Sequence, residues 1–207
     1  SERLGKKSEV ADVIDEVLRH FHIRKLILPK NTSFALVDQL RFKKYRVEAG
    51  TRPFYPGRLV KTREERRAME AAQKVVFGAM RFAEETLRRS RIRGNRIFSR
   101  GSVLTSERLR SIVSVFLLEH GCVALDPPII SCGDQSCDPH QIGNGPLKPH
   151  QSIIIDIFPK SLKTMYYGDA TRTFCKGKAS EGLKRLYGTV KEGQALGLKL
   201  IHAGING

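Results

Sequence analysis

Two short segments carry most of the information in this sequence: Ser152-Ile153-Ile154-Ile155-Asp156-Ile157-Phe158 and Tyr166-Tyr167-Gly168-Asp169-Ala170-Thr171-Arg172-Thr173-Phe174. Each is predicted as a strand with a single aspartate, and burying a carboxylate without a partner is costly. A turn around residues 159–163 would join the strands as a hairpin and bring Asp156 and Asp169 to one point. Such paired carboxylates either share a proton or bind a hard divalent ion such as magnesium or manganese. Alternatively, Asp169 pairs with Arg172, and Asp156 accepts a backbone hydrogen bond.

The surrounding sequence predicts an antiparallel sheet framed by helices. Short apolar runs alternate with turn residues and are predicted as strands at residues 122–125, 129–132, 152–158 and 165–174. A capping box, Thr62-Arg63-Glu64-Glu65, starts a long helix. A second helix runs from Thr105 to the glycine cap Gly121, and a third runs from Ser180 to near Gly204. This region is therefore predicted to have an α+β fold.

The first 60 residues predict a smaller α/β arrangement. Apolar periodicity indicates helices at residues 8–21 and 33–40 and strands at residues 25–29 and 45–48. Pro53, Pro56 and Gly57 mark a linker. These elements are too few for an independent sheet, so we expect this region to need residues outside the chain.

The positive charge of the chain is concentrated in its first half. Lys and Arg total 37 against 21 acidic residues, a net charge of +16; residues 1–100 hold 25 basic and 12 acidic side chains. Six arginines between residues 88 and 100 could bind a phosphate backbone if they share one face. Phe98 is the only aromatic residue among them, whereas base-stacking sites use several. The favoured interpretation is therefore a solvated helix end and loop.

Composition indicates a soluble globular protein. The chain has 207 residues, 40% hydrophobic and 28% charged, and a mean hydropathy of −0.31. No apolar run approaches the roughly 20 residues of a membrane span, and no signal peptide is recognisable. The four cysteines lack the paired CxxC spacing of a zinc site and are expected to be reduced thiols. A cytoplasmic location without a membrane partner is expected.

The run Asp169-Ala170-Thr171-Arg172-Thr173-Phe174, preceded by a strand with its own aspartate, resembles the creatinase/aminopeptidase P/methionine aminopeptidase family of pita-bread metallopeptidases. Pro139-His140 matches the Pro-His that precedes the first ligand strand of that family. The resemblance covers about residues 59–207 and implies the first half of a pita-bread catalytic domain. Residues 1–58 resemble the C-terminal part of the α/β amino-terminal domain in the creatinase-like, proline-directed branch.

The resemblance also implies a centre with two divalent metal ions and an activated water. Manganese is the expected ion, with cobalt or zinc as alternatives, and two aspartates, one histidine and two glutamates would bind the pair. Asp156 would bind one ion, Asp169 would bridge both, and His140 would contact the substrate. Thr171 and Arg172 would orient the ligands. Without the resemblance, His140 would be interpreted as a histidine packed in a loop.

The other histidine and glutamate ligands of the family would follow the helix that ends near Gly204, and the sequence stops at Gly207. His202, Glu181 and Glu192 belong to that helix or its end and are not expected to replace them. The chain is therefore expected to be truncated at both ends and to be inactive by itself.

The expected function is that of a metal-dependent exopeptidase of the Xaa-Pro aminopeptidase or dipeptidase type. Its substrate would be a peptide with proline after the N-terminal residue, and a homodimer is compatible with this function. Creatine hydrolysis by the same fold also stays open. The alternative from another class is a non-catalytic pita-bread module that binds nucleic acid or protein. The basic first half favours that alternative, and the retention of Asp156, Asp169 and His140 opposes it.

Overall fold

A computed structural model describes residues 9–50 and 54–205 of the chain. Ser8 of the first predicted helix and Pro53 of the predicted linker lie outside the described residues. The chain divides between Lys61 and Thr62 into two compact units, here called unit 1 and unit 2. Within the described ranges, no helix combines the length and apolar character that crossing a membrane requires.

Unit 1 alternates helices and strands, as its sequence predicts. Helix α1 (Val10–His20) is followed by β1 (Lys25–Leu28), α2 (Phe34–Phe42) and β2 (Arg46–Ala49). The two strands pair in parallel, and Ser33 caps α2 by accepting a hydrogen bond from the backbone N–H of Leu36. A small core of three buried side chains holds the unit together: Leu18, Leu40 and Tyr45.

Two helices of unit 2 form one side of its core. Helix α3 (Arg63–Arg89) begins at the predicted capping box, in which Thr62 and Glu65 each bind the backbone N–H of the other residue. Its buried side chains recur every three or four residues and form one stripe: Ala72, Val76, Ala79, Met80, Ala83 and Leu87. Helix α4 (Ser106–Glu119) packs against α3 and ends before Gly121, whose φ of +70° suits glycine.

The segment between α3 and α4 contradicts its predicted structure. In place of a solvated helix end and loop, β3 (Arg91–Arg93), β4 (Arg96–Ser99) and β5 (Ser102–Val103) form a three-stranded antiparallel sheet. The sheet forms because Ile97 is completely buried in the core of unit 2 and because Gly94, with φ +56°, allows a tight turn. The sequence does contain a signal for these strands, because arginine and isoleucine alternate with the period of two residues that is typical of a strand.

A three-stranded antiparallel sheet lies at the centre of unit 2. Its strands are β7 (Ile129–Cys132), β8 (Ile153–Ile157) and β10 (Ala170–Phe174), in the order β10-β8-β7. Ile153, Ile155 and Ile157 are completely buried in the same core cluster as the apolar stripes of α3 and α4. Since side chains alternate between the faces of a strand, Ile154 and Asp156 lie on the opposite face, which is partly exposed.

The connection between the two aspartate-bearing strands is longer than the predicted hairpin. Strand β6 (Cys122–Val123) pairs with β9 (Lys160–Ser161), which occupies the predicted turn. The predicted strand at residues 165–174 begins only at Ala170, because Met165 has a φ of +63°, outside the extended region. Helix α5 (Glu181–Leu200) follows β10 and is capped by Ser180, as predicted.

Candidate functional site

The strand register places Asp156 opposite β10, the strand that begins directly after Asp169. Asp156 lies directly opposite Thr171, and the Thr171 hydroxyl donates a hydrogen bond of 2.6 Å to Asp156 Oδ1. Asp169 precedes Thr171 by two residues, so continuation of the same alternation would direct it to the face that carries Asp156. Side chains in this diagonal relation lie roughly 7–8 Å apart between Cα atoms.

The electrostatics of this pair favour a cation. Asp169 is an exposed residue, but partial desolvation of its carboxylate raises its pKa, and the nearby negative charge of Asp156 raises that pKa further. Among the described residues, neither carboxylate forms an ion pair with a lysine, arginine or histidine. Two carboxylates without a counter-ion are a donor set that suits a hard divalent ion. The residues present therefore fit the metal that their sequence predicts.

The pair is not a complete metal site by itself. Within residues 9–50 and 54–205, no group of three or more His, Cys, Asp or Glu side chains is arranged to bind a metal ion. Asp156 and Asp169 would thus supply two side-chain ligands. A divalent ion prefers more oxygen or nitrogen ligands than that, and so this face alone is expected to bind metal weakly.

Arg172 does not neutralise Asp169 in this structure. Its Nη1 donates a hydrogen bond of 2.8 Å to the backbone oxygen of Thr171. Its guanidinium carbon lies 5.9 Å from the centroid of the Phe77 ring, a distance at which cation–π attraction operates. Arg172 therefore does not form the alternative pair with Asp169; its guanidinium contacts the Thr171 carbonyl and the Phe77 ring instead.

Gln73 on α3 holds the backbone of Asp169 and was not predicted from the sequence. Its Nε2 donates to the Asp169 carbonyl oxygen at 2.8 Å, and its Oε1 accepts from the Asp169 N–H at 2.9 Å. The adjacent Gly168 lies so close to α3 that a Cβ there would be 2.8 Å from the carbonyl carbon of Ala72. Helix α3 thus fixes the position of Asp169, and Gly168 permits the close approach.

A cavity of about 300 Å³ opens beside Asp156. Thr171 lines it with Asp156, and the segment before β8 closes it with Cys137, Asp138 and Pro139. His140 is exposed and is not among the lining residues. Its backbone N–H donates to Asp138 Oδ1 at 2.8 Å, which fixes the turn at the cavity edge. Cys137 and Asp138 line this cavity, and the sequence did not single them out as candidate site residues.

The two later histidines of unit 2 have structural contacts away from the aspartates. His150 Nδ1 accepts a hydrogen bond of 2.9 Å from the backbone N–H of Lys178, and its ring lies against Gly177. His202 follows α5, and its Nδ1 lies 3.0 Å from the Ala203 carbonyl oxygen. Glu181, on the first turn of α5, binds Lys184. These residues hold local structure and do not complete the aspartate pair.

Comparison with protein families finds one match. The family described as Metallopeptidase family M24 matches residues 66–207, a region that contains Asp156, Asp169, Thr171 and Arg172. A comparison with curated protein sequences finds no match.

Solved structures share the fold at low sequence identity. The Xaa-Pro dipeptidase from Bacillus anthracis superposes with a TM-score of 0.81 at 19% identity, over 97% of this chain and 53% of that protein. The X-Pro aminopeptidase from Thermotoga maritima MSB8 gives a TM-score of 0.74 at 20% identity, over 97% and 54% of the two chains. The prolidase from Pyrococcus furiosus gives 0.70 at 21% identity, over 87% and 50%. The chain spans about half the length of these structures, and the expected α+β pita-bread fold is confirmed.

Proposed function

The chain belongs to metallopeptidase family M24, and from this membership we propose that it forms part of a metal-dependent exopeptidase that hydrolyses the bond after an N-terminal residue. One observation carries the proposal. Asp156 and Asp169 come from the family-matched region, the negative charge of Asp156 acts on Asp169, and neither forms an ion pair among the described residues. Two neighbouring carboxylates without a counter-ion repel each other, and a bound cation would relieve that repulsion.

Asp156 and Asp169 would bind divalent metal, and we propose manganese, with cobalt and zinc as alternatives. When bound, such ions lower the pKa of water and polarise a carbonyl group. The Thr171 hydroxyl occupies one lone-pair position of Asp156 Oδ1 and so orients that carboxylate. Gln73 fixes the backbone of Asp169. Arg172 donates to the carbonyl oxygen of the adjacent Thr171, and we propose that it helps to orient that residue.

We further propose a peptide substrate with proline after its N-terminal residue. The proteins named X-Pro aminopeptidase, Xaa-Pro dipeptidase and prolidase share this fold over nearly the whole of this chain. Residues 1–58 are proposed to be the C-terminal part of a creatinase-like amino-terminal domain, and residues 59–207 the first half of the catalytic domain. His140, at the edge of the cavity, would contact the substrate. A cytoplasmic location and a homodimer complete the proposal.

The direct test is Mn²⁺ binding measured by calorimetry on the purified protein. We expect Asp156→Asn and Asp169→Asn each to weaken binding by at least about tenfold, because each removes a charged ligand. Asp126→Asn is the matched control, since Asp126 is exposed and lies away from the β8–β10 pair. Equal affinities for the control and the two site variants would contradict the proposal and favour a non-catalytic module.

Hydrolysis of dipeptides and tripeptides with proline in second place is the second measurement. Because the described residues supply two ligands, we expect this chain alone to show little or no turnover even when Mn²⁺ binds. Faster hydrolysis of peptides without proline would overturn the proposed specificity but leave the metal site standing.

A further inference from the structure

The solvent side of the β3-β4 hairpin forms a second polar surface in unit 2. Arg91 pairs with Phe98 and Arg93 pairs with Arg96, so these four side chains lie on the same face of the hairpin; we call them the arginine face. Ile92 and Ile97 alternate to the opposite face, where Ile97 is completely buried. The buried isoleucine fixes which face of the hairpin turns to solvent.

The positive charges of the arginine face have no counter-ions in the part of the chain that the structure describes. No ion pair there involves Arg91, Arg93 or Arg96. Glu85, an acidic residue near the end of α3, already binds both Arg88 and Arg89. All three arginines are exposed. Their guanidinium groups are therefore available to an external anion.

The hairpin also orders one of these side chains, Arg93, before anything binds. The Arg93 guanidinium carbon lies 5.4 Å from the centroid of the Phe98 ring, within the range of cation–π attraction. Arg91 and Arg93 are two residues apart on one strand, a spacing of roughly 6.5–7 Å. Ordered side chains lose less entropy on binding, and the even spacing suits an anion that repeats along a chain.

We propose that the arginine face binds the phosphate backbone of single-stranded nucleic acid without sequence preference. Planar guanidinium forks match the oxygens of a phosphate, and phosphodiesters repeat along an extended strand much as the arginines do. Phe98 is partly buried and covered by Arg93, so it offers no free ring on which a base could stack. Affinity would therefore come from the backbone charges and would be strongly dependent on salt.

This surface is separate from the proposed metal site. Gln73 and Asp169 lie near the middle of α3, whereas the hairpin follows its C-terminal end at Arg89. The intervening 16 residues of helix correspond to about 24 Å. Nucleic-acid binding and metal binding should consequently respond to different substitutions.

Fluorescence anisotropy with a labelled single-stranded RNA of mixed sequence tests the proposal on the full chain. The test variant is Arg91→Gln/Arg93→Gln/Arg96→Gln. The control variant is Arg63→Gln/Arg67→Gln/Arg81→Gln, which removes the same charge from exposed positions of α3. At about 50 mM salt we expect the test variant to bind roughly tenfold more weakly or worse, with a salt slope smaller by about 2, because each single-strand phosphate contact contributes about 0.7.

Three outcomes would overturn the proposal that the arginine face binds nucleic acid. They are the absence of RNA binding by the wild type, equal losses in the test and control variants, and tighter binding of polyglutamate than of RNA. Arg91→Lys/Arg93→Lys/Arg96→Lys checks that folding is not responsible: it should bind more tightly than the glutamine variant because the three charges are retained, and more weakly than the wild type because an ammonium group lacks the planar guanidinium fork. Failure of that variant to bind, with an unchanged circular dichroism spectrum and melting temperature, would also count against backbone recognition by charge.

Discussion

Asp169 lies one residue before β10, and its geometry is set by neighbours distant in sequence. Gln73 binds both its N–H and its carbonyl oxygen, which imitates the pairing that a neighbouring strand would provide. Asp156, in contrast, lies within β8 and receives its contact from Thr171 on the adjacent strand. The two carboxylates therefore depend on different parts of unit 2 for their positions.

Replacing Gln73 by methionine should weaken both folding and metal binding. The substitution removes two hydrogen bonds at nearly constant side-chain length, a loss of about 1–2 kcal/mol in the free energy of unfolding. Mn²⁺ affinity should fall as well, because Asp169 is no longer held. Gln194→Met, at an exposed position of α5, is the control and should change neither quantity. Unaltered Mn²⁺ affinity in Gln73→Met would show that Gln73 is only structural.

We expect Tyr45 to contribute to the acid stability of unit 1 through Asp15. Its hydroxyl donates to Asp15 Oδ1 at 2.7 Å, and this bond, followed by that from Arg19, lowers the pKa of Asp15. A carboxylate with a lowered pKa stabilises the fold above its ordinary pKa of 3.8, and this stabilisation is lost as the pH falls through the lowered pKa.

We therefore expect Tyr45→Phe to melt at a lower temperature than the wild type at pH 7, with the difference narrowing as the pH falls below the ordinary aspartate range. Thermal unfolding followed between about pH 7 and pH 2 measures this. Tyr55→Phe serves as the control because Tyr55 is exposed. A difference that is constant with pH would show that Tyr45 stabilises unit 1 by packing alone.

For single residues, the sequence reveals charged side chains that interrupt apolar runs. Asp156 and Asp169 stand out because each interrupts an apolar run, and strand alternation then predicts that they share a face. Gln73 gives no such signal, since a glutamine on an amphipathic helix is usually solvated and its partner lies 96 residues away. Contacts of that kind depend on packing that no local pattern records.

The two residues just before β10 connect the central sheet to α3. Gly168 is buried against the backbone of α3, and a Cβ there would lie 2.8 Å from both the Ala72 carbonyl carbon and Val76 Cγ2. Backbone cannot move aside as a flexible side chain does. The whole element must therefore shift if this glycine is replaced.

Gly168→Ala should destabilise unit 2 by about 1–3 kcal/mol, the usual cost of inserting an atom into a packed site. Gly188→Ala is a matched change on α5, where an added Cβ meets nothing within 4 Å. It should raise helix content, since alanine is about 0.5–1 kcal/mol better than glycine in a helix. Urea unfolding and far-ultraviolet circular dichroism measure the two effects. Similar stabilities for the two variants would refute the close approach of β10 to α3.

Elements with strong local signals were predicted well, and those made by distant pairing were not. The capping box and the apolar stripe of α3 are complete within its own sequence. Strands β6 and β9 are two residues long each, and only their mutual pairing makes them strands. The β3-β4 hairpin was missed because its arginines suggested a solvated segment, although Ile97 is buried.

The described residues form one buried cluster in each unit. Unit 1 is built around Leu18, Leu40 and Tyr45, whereas the cluster of unit 2 joins α3, α4 and the central sheet and is several times larger. Because stability grows with the apolar area that a fold buries, unit 1 should be the less stable of the two.

Leu40→Ala should consequently unfold unit 1 selectively. Leu40 is almost completely buried, and such a truncation costs about 2–5 kcal/mol, which is much of what a small core supplies. Val113→Ala, in the α4 stripe, is the counterpart in unit 2. Tyrosine fluorescence and circular dichroism during urea titration should show an early transition moved by Leu40→Ala and a later one moved by Val113→Ala. A single transition moved equally by both would contradict this division.

For the molecule as a whole, the family-matched region and its order of elements were accessible from sequence, because a few polar residues in order on the correct strands are specific. The sequence of unit 1 was less informative about its fold. Its four elements were predicted by apolar periodicity, but the parallel pairing of β1 and β2 depends on a crossover that periodicity does not specify.

Helix α5 differs from α3 in how its backbone is protected. It contains four glycines and no buried residue, whereas six residues of α3 are buried. Amide hydrogens exchange with solvent through local opening, and opening is easiest where few apolar contacts must be broken. In heavy water, the amides of α5 should therefore lose their protons early while those of α3 persist until unit 2 unfolds globally. Within unit 2, the amides of α3 would therefore exchange slowly and those of α5 rapidly, although both helices belong to the same continuous chain.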